Sequence, residues 1–595
     1  WRSWGDGPTT AGDYHLRYGS VATDIGFNDP VVTALDLDGN PRIADGDGDG
    51  LAEVDLGAYE QLPGDCTEDG MLFVDQNANG ANTGISWGDA FTDLQTALAT
   101  ARNCEVWVAA GVYYPTDTTD RSQAFLLRSG VQVYGGFAGD ETLLEQRDWF
   151  ANPTILSGDI DRNDINTDGN FIAETPNDIQ GNNAYHVLVG SGVDATAVFD
   201  GFIINAGQAT FESLYHNQGG GVYLTLGNPT LNNLVISANT SNASGGGLFN
   251  DRSTATLSNI AFRGNSVTGN YHSGGGMFNH LGSPILSNVL FSGNNSYEGG
   301  ALFTDGGAPV MINPTFSGNY GYEGGAINVR GGTVTLTNAI IWGNNSTIFL
   351  TGGAATVTHS IVQGGYPGEG NLDVDPLFVD WRSWGDGPTT AGDYHLRYNS
   401  PAIEVGNNSP VTALTDLDNN PRLVDGNGDT STVVDLGVYE WQAYTLTVTV
   451  EGSGTVVKDP EQSTYGFLEQ VSLTATADIG WVFTGWSGDV ESTDNPLTTT
   501  MKANTSITAN FIQIEYTLTI TPFGSGTVTI EPMQDTYHYG DEVTLVAVPK
   551  VSWVFFGWGG DATGTESPLT IMIVGHTDIT ATFITFGSYL PIIIR

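Results

Sequence analysis

Oxygen ligands for a hard cation are the plainest chemistry that the residue types of this chain spell out. Asp45, Asp47 and Asp49 stand at alternate positions and are followed by Gly50. This is the first half of a twelve-residue calcium loop, in which oxygens at every second position converge on one ion. The twelfth position holds Leu56 where a bidentate carboxylate belongs, and Asp55 falls one place early. A second stretch keeps Asp425, Asn427 and Asp429 but has Thr430 at the glycine position and Leu436 at the twelfth, with Asp435 again one place early. A third oxygen-rich run is Asp159, Asp161, Asn163, Asn166 and Asp168. Ca2+ is the one cofactor these spacings suggest; the competing reading is solvated turns, where Asp, Asn and Gly are at home without any ion. Other constellations are incomplete. His186, His272, His280 and His359 lack ligand spacing, and Gly485, Trp486, Ser487 and Gly488 miss the register of a G-x-S-x-G elbow.

The elements that would position such groups are repeats. Glycine runs begin GGGVY at Gly219, GGGLF at Gly245, GGGMF at Gly274, GGALF at Gly299 and GGAIN at Gly324. Each is followed by alternating apolar and polar residues and closes on an asparagine: Asn239, Asn265, Asn294, Asn319 and Asn344, spaced 26, 29, 25 and 25 residues apart. A fixed period of this size marks a solenoid, and alternation with period two makes each unit strands rather than helices. Glycine permits tight corners with positive φ and close backbone approach. The recurring asparagine predicts a ladder in which each amide bonds to the next coil. A lone coil buries too little to order itself, so the stack must stabilise itself.

These residues resemble the polymorphic outer-membrane protein repeat, GGA followed by F-x-x-N, which implies an all-β, right-handed parallel β-helix. The resemblance extends upstream through LFVDQNANG, VWVAAGVYYP and VQVYGGFAGDETLLEQRDW, similar to the opening coils of large secreted bacterial β-helix proteins. Phe91, Leu94, Ala97, Leu98 and Ala101 predict an amphipathic helix over 90–101 that caps the open end. Many parallel β-helices cleave acidic polysaccharides, and Asn166 to Gly169 spell the NTDG of polygalacturonases, where a carboxylate pair protonates the leaving group and activates water. Its partners are missing: the chain has no Asp-Asp pair, no Gly-His-Gly and no Arg-Ile-Lys. A lyase needs a base, and the β-helix has no lysine, leaving Arg263 or Arg330.

Residues 1–18, WRSWGDGPTTAGDYHLRY, recur unchanged at 381–398, and the match continues more loosely from Leu35 against Thr415. The second copy resembles the tail of the choice-of-anchor Q type and ends the β-helix. The first therefore resembles the closing coil of a preceding unit, in a longer parent with tandem units about 380 residues apart. From Tyr444, YTLTVTVEGSGTVV aligns with YTLTITPFGSGTVT from Tyr516 at a constant offset of 72. These modules resemble the B repeats of internalins, which implies spacer or adhesive units, with Trp486 and Trp558 as core residues rather than sugar platforms. The expected organisation is a cap segment 1–65, a β-helix 66–442 with its closing segment 381–440, small all-β modules at 443–513 and 514–584, and a terminal strand 585–595.

Eighteen basic against 67 acidic residues give a net charge of −49, and all three lysines (Lys458, Lys502, Lys550) lie in the B repeats. Nucleic acid is excluded as a partner by such a surface, and no apolar run is long enough for a membrane span. Cys66 and Cys104, the only cysteines, predict a disulfide in an oxidising compartment, two independent thiols being the alternative. Tyr589, Leu590, Ile592, Ile593 and Ile594 form a β-prone strip that predicts strand addition to a neighbouring copy. The functional expectation is a non-catalytic extracellular or bacterial cell-surface protein whose partner is itself, in a head-to-tail filament or layer. The alternatives are an adhesin binding extracellular glycans and a β-helix polysaccharide lyase or glycoside hydrolase.

Overall fold

The computed structural model describes residues 70–585 except 211–215, 270–271, 427–429 and 468, together with residues 42, 43, 54 and 66. Two compact units divide the chain, one up to Trp441 and one from Gln442.

The first unit is a parallel β-helix. Successive coils each give one strand to a long parallel sheet, in which Val198–Asn205, Thr230–Ser237, Thr256–Arg263 and Ile285–Ser292 are neighbours. A second parallel sheet holds Val222–Thr225, Leu248–Asp251, Met277–His280, Leu302–Asp305 and Ile327–Arg330, and a third holds short strands such as Thr240–Ser241 and Asn295–Glu298. Coils stack in strict register, so Leu257 pairs with Leu286 and Phe262 with Phe291. A slip of one residue would turn every inward side chain to the outside. Inside, Phe262, Phe291 and Phe316 stack at centroid separations of 4.8 and 4.9 Å, within a continuous core of Leu, Ile and Val.

The glycine runs do what the corner requires. Gly245 adopts φ +64°, and a Cβ on Gly246 would lie 2.4 Å from the Ser266 carbonyl oxygen and 2.7 Å from that of Gly275 in the next coil. No other residue fits there. The asparagine ladder forms beside these corners. Asn239, Asn265, Asn294, Asn319 and Asn344 are buried, and each of the first four donates from its backbone N and its Nδ2 to the Oδ1 of the next at 2.8 to 3.1 Å. Each Nδ2 also reaches a strand carbonyl, that of Asn294 bonding Phe262 O at 2.9 Å.

The predicted helix is shorter than its pattern. It spans Leu94–Thr100 behind an Asp93 N-cap, whose carboxylate accepts from Gln95 N and Thr96 N. Phe91 instead makes a parallel bridge with Val74, which removes the first turn. Leu94, Ala97 and Leu98 enter the core beside Leu72 and Val106. Cys66 and Cys104 are joined by a disulfide across 38 residues at this first coil.

In the second unit two modules repeat one plan. Each pairs a mixed three-stranded sheet, Leu446–Glu451, Thr505–Gln513 and Trp481–Gly488 in the first module, with an antiparallel one, Gly454–Asp459, Gln470–Ala477 and Leu497–Thr500. Trp486 and Trp558 are buried and donate Nε1–H to the carbonyls of Asp494 and Glu566 at 2.8 Å, so both are core residues.

Asn294→Ala removes a buried amide and orphans the donors of Asn265. It should cost the β-helix about 2–4 kcal/mol, read as a lower guanidinium midpoint of its unfolding transition. Reduction and alkylation of Cys66–Cys104 should cost about 4 kcal/mol and raise hydrogen exchange in the strands Met71–Val74 and Glu105–Ala109.

Candidate functional site

A second column of asparagines runs along the outside of the long sheet, six residues ahead of the first. Asn233, Asn259, Asn288, Asn313 and Asn338 all sit in the left-handed region, φ +50 to +59°, where asparagine is the tolerated side chain. Asn259 Nδ2 donates to Asn233 Oδ1 at 3.1 Å and Asn288 Nδ2 to Asn259 Oδ1 at 3.0 Å. At the upstream end Asn233 donates to Asp200, which is paired with Arg147 at 2.9 Å. His359 continues the same backbone position with φ +48°. The signal was present in the sequence as N-x-x-φ-x-x before each ladder asparagine, but a lone polar residue in a strand reads as an outward side chain.

Residues 381–441 fold back onto this column. Asn288 Nδ2 donates to Thr415 O at 2.7 Å; Asn338 gives its Nδ2 to Asn407 O at 2.9 Å and accepts from Asn407 N at 2.7 Å. Gly437 N donates to Asn338 O, and Val438 N to Thr315 Oγ1. The guanidinium of Arg263 donates to the carbonyls of Thr390 and Gly392. Thr390 in turn bonds Glu174 through N and Oγ1. Arg422, 0 % exposed, lies with Nε and Nη2 2.8 and 2.9 Å from the Asn313 amide, so a buried charge meets the column there.

That charge organises the closing segment. Arg422 Nη2 donates to the carbonyls of Asp435 and Gly437, and Nε stands 3.6 Å from Glu440. Asp435 accepts from Glu404 N at 2.7 Å and Trp441 N at 2.6 Å, and Asp416 accepts from Glu440 N. Nearby, His395 is held between Asp393, 2.5 Å from Nδ1, and Asp418 at Nε2, and stacks on Tyr439 at 3.9 Å. Burial disfavours the imidazolium, but the two carboxylates outweigh it and push His395 up to about 9. Burial pushes Asp416 up to about 6 and raises Asp435 and Glu440, the Arg422 charge only partly opposing it.

The predicted calcium ligands divide among three places. Asp45, Asp47, Asp49 and Asp55, with Asn427 and Asp429, lie outside the described residues. Asp425 accepts from Thr430 N at 2.9 Å, which closes its loop. Asp435 is turned inward with both carboxylate oxygens on backbone N–H groups, those of Glu404 and Trp441, which takes it out of the expected calcium set. In the third run Asp159, Asp161 and Asp164 cap turn amides: Asp159 accepts from Asn163 and Asp164 N, Asp161 from Asn182 N, Asp164 from Gln180 N and Asn183 Nδ2. Among the described residues no cluster of three or more His, Cys, Asp or Glu is arranged to hold a metal ion.

Beside that third run a cavity of about 220 Å³ is lined by Tyr114, Asp159, Arg162, Asp164 and Phe171. Burial pushes Asp164 up to about 7. Asp168 of the NTDG tetrad only braces Asn170 N and Nδ2, and Asn166 only Gly169 N, which is turn chemistry. The arginines weighed as bases are engaged too: Arg263 on the closing segment, and Arg330 on Asp305 at 2.8 Å above the Phe303 ring. His280 bonds Asp251 at 2.7 Å, and His186 Nδ1 lies 2.8 Å from Gly219 O. The strand Tyr589 to Ile594 lies outside the described residues.

The repeated cores and 72-residue offset of the second unit decide its kinship. Residues 444–515 and 516–585 match the divergent InlB B-repeat domain. The chain is a parallel β-helix followed by two such B repeats. Among solved structures, the crystal structure of pectate lyase Pel9A matches with a TM-score of 0.34 at 14 % identity, covering 62 % of this chain and 96 % of that one. No curated protein matches the chain. No helix among the described residues is long and apolar enough to cross a membrane.

His395, Asp416, Asp435 and Glu440 all hold protons more tightly in the folded closing segment than in the unfolded chain. Their stabilisation is present below the unfolded pKa of each and is lost as pH rises through the folded one. The thermal midpoint of the β-helix should therefore fall from pH 6 to pH 9.5, and His395→Gln should flatten the part above pH 7, measured by calorimetry.

Proposed function

We propose that this chain is a non-catalytic structural protein of the extracellular space or bacterial cell surface, a stiff β-helix carried with B-repeat spacers and associating head to tail with its own copies. The observation that carries this reading is that, among the described residues, the arginines and aspartates weighed for chemistry are engaged in holding the β-helix. The aspartates cap turns, Arg263, Arg330 and Arg422 pin carbonyls and carboxylates, and both asparagine columns bond to themselves. Support for the location comes from the disulfide, which belongs to oxidising compartments, and from the two B repeats. The acidic surface keeps neighbours soluble and repels nucleic acid and anionic lipid.

A second reading, an adhesin for extracellular glycans, is favoured by one feature. Tyr297 and Tyr322 stack at 5.1 Å on adjacent coils, with Tyr322 67 % exposed, a flat aromatic step of the kind that sugar rings lie on.

Negative-stain images of the native chain at rising concentration should show filaments or layers, and a monodisperse particle at every concentration would contradict the reading. Incubation with uronate polymers should release no unsaturated product or new reducing ends. A glycan array with hits that Tyr322→Ala removes would replace the first reading by the second.

A further inference from the structure

Exposed aromatic rings gather at one place on the outside of the β-helix. Asn295–Glu298 and Tyr320–Glu323 are neighbouring strands of the third sheet, with Asn295 paired to Tyr320 and Glu298 to Glu323. Tyr320 and Tyr322 stand two residues apart and so share the outer face, the Gly321 between them being buried. Tyr322 stacks on Tyr297 of the preceding coil, and Tyr320 meets Trp384 at a centroid separation of 5.7 Å. Glycines lay down the stretch that carries Trp384. A Cβ on Gly293 would lie 2.3 Å from Thr389 O, one on Gly318 2.7 Å from Arg382 O, and one on Gly343 2.7 Å from Cε3 of Trp381. Residues 381–389 therefore run close against three successive coils, and the turn Trp384–Asp386, capped by Ser383, sets the indole beside Tyr320. Trp381 and Trp384 stay 42 % and 45 % exposed, so with Tyr322 three large rings face solvent rather than core.

Polar groups set among these rings narrow what can lie there. The carboxylate of Glu323 and the amide of Asn295 are not taken up by other side chains among the described residues, and Glu298 accepts from Ser273 Oγ at 2.8 Å through one oxygen only. Carboxylates and amides receive hydroxyl donors, and aromatic faces receive the C–H side of a ring. A protein partner fits poorly, because the core of a protein interface is depleted of charge and Glu298 and Glu323 lie within this patch. An acidic polymer is repelled by the same two carboxylates and by the net charge of −49, and the nearby Arg382 is already paired with Asp380. We propose that Tyr297, Tyr320, Tyr322, Trp381 and Trp384 form a binding site for an uncharged polysaccharide chain. This rests on the second of the two readings above and deepens it, naming the ligand class and carrying the site onto the closing segment. With coils about 4.8 Å apart, rings on three of them span about 10 Å along the axis, which suits a run of sugar rings rather than a single one.

Affinity electrophoresis of the full chain, through gels holding a neutral β-glucan, a galactomannan or polygalacturonate, tests the proposal. Wild type should be retarded by a neutral polymer and not by polygalacturonate, equally at low and high salt because no ion pair is involved. Trp384→Ala and Tyr322→Ala should each weaken the retardation about tenfold, while Trp384→Phe, which keeps a ring, should retain most of it. Retardation by polygalacturonate alone, by none of the polymers, or to a degree that neither alanine changes would overturn the proposal. Binding lost in Tyr322→Ala but kept in Trp384→Ala would leave the glycan reading standing and overturn its extension to the closing segment. Should Trp384→Ala loosen that segment, wild type supplies a second measurement. The neutral polymer should then reduce quenching of tryptophan fluorescence by acrylamide, and an absence of protection would overturn the site.

Discussion

Stacking one chain upon itself forces a single requirement on every coil: each buried polar group at a given height must find its partner in the coil above or below. Strand backbones meet it through parallel ladders, as in any sheet. The glycine corners still meet it, Gly245 N donating to Ser273 O, but the amide at each ladder position is taken by the side chain of the next coil's asparagine instead of by a carbonyl. The two asparagine columns answer the same requirement. Side-chain amides both donate and accept, so an asparagine repeated at one place per coil bonds upward, downward and to the turn. Asn265 shows the full pattern, accepting from Asn239 while giving its own N–H groups to Asn294 and to Ile236 O. Glycine follows from the same requirement, since the corner carbonyls of successive coils approach to where a Cβ would stand.

The flank chemistry grows out of this. A column of amides on the outside of a sheet has spare hydrogen-bonding capacity, and the closing segment uses it by presenting main-chain groups and one guanidinium. Arg422 is buried with Glu440 3.6 Å from its Nε, and burial raises the proton affinity of Glu440 and Asp435. A buried charge with its partners removed costs more than the pair contributes, so such a latch specifies one docked arrangement more than it adds stability. Asp435, which looks like a metal ligand in the sequence, is held in this segment by the backbone N–H groups of Glu404 and Trp441.

How much was legible follows from the same distinction between repeated and dispersed signals. The inner ladder, the glycine corners and the two B repeats were readable because five and two copies respectively set their residues in phase. The outer column was not, although it has the same period, because a single asparagine in an alternating strand is indistinguishable from any outward polar residue until its positive φ is known. The latch was hidden for another reason. Asp393, His395, Asp418, Arg422 and Glu440 are brought together by tertiary folding of a segment without periodicity. Asp435 was misassigned because its spacing matched a loop ligand, while its carboxylate is taken up by the backbone N–H groups of Glu404 and Trp441, which sequence spacing does not bring together. The helix at Leu94–Thr100 lost its first turn to a bridge between Phe91 and Val74, a long-range pairing that local propensity does not report.

Mutual dependence of the coils is the claim on which the rest stands, and native-state hydrogen exchange read by mass spectrometry across residues 219–344 tests it most directly. The account predicts that backbone amides of the five coils from Gly219 to Asn344 open together, with one free energy shared by peptides from each. Five separate free energies, with single coils exchanging while their neighbours stay protected, would contradict it.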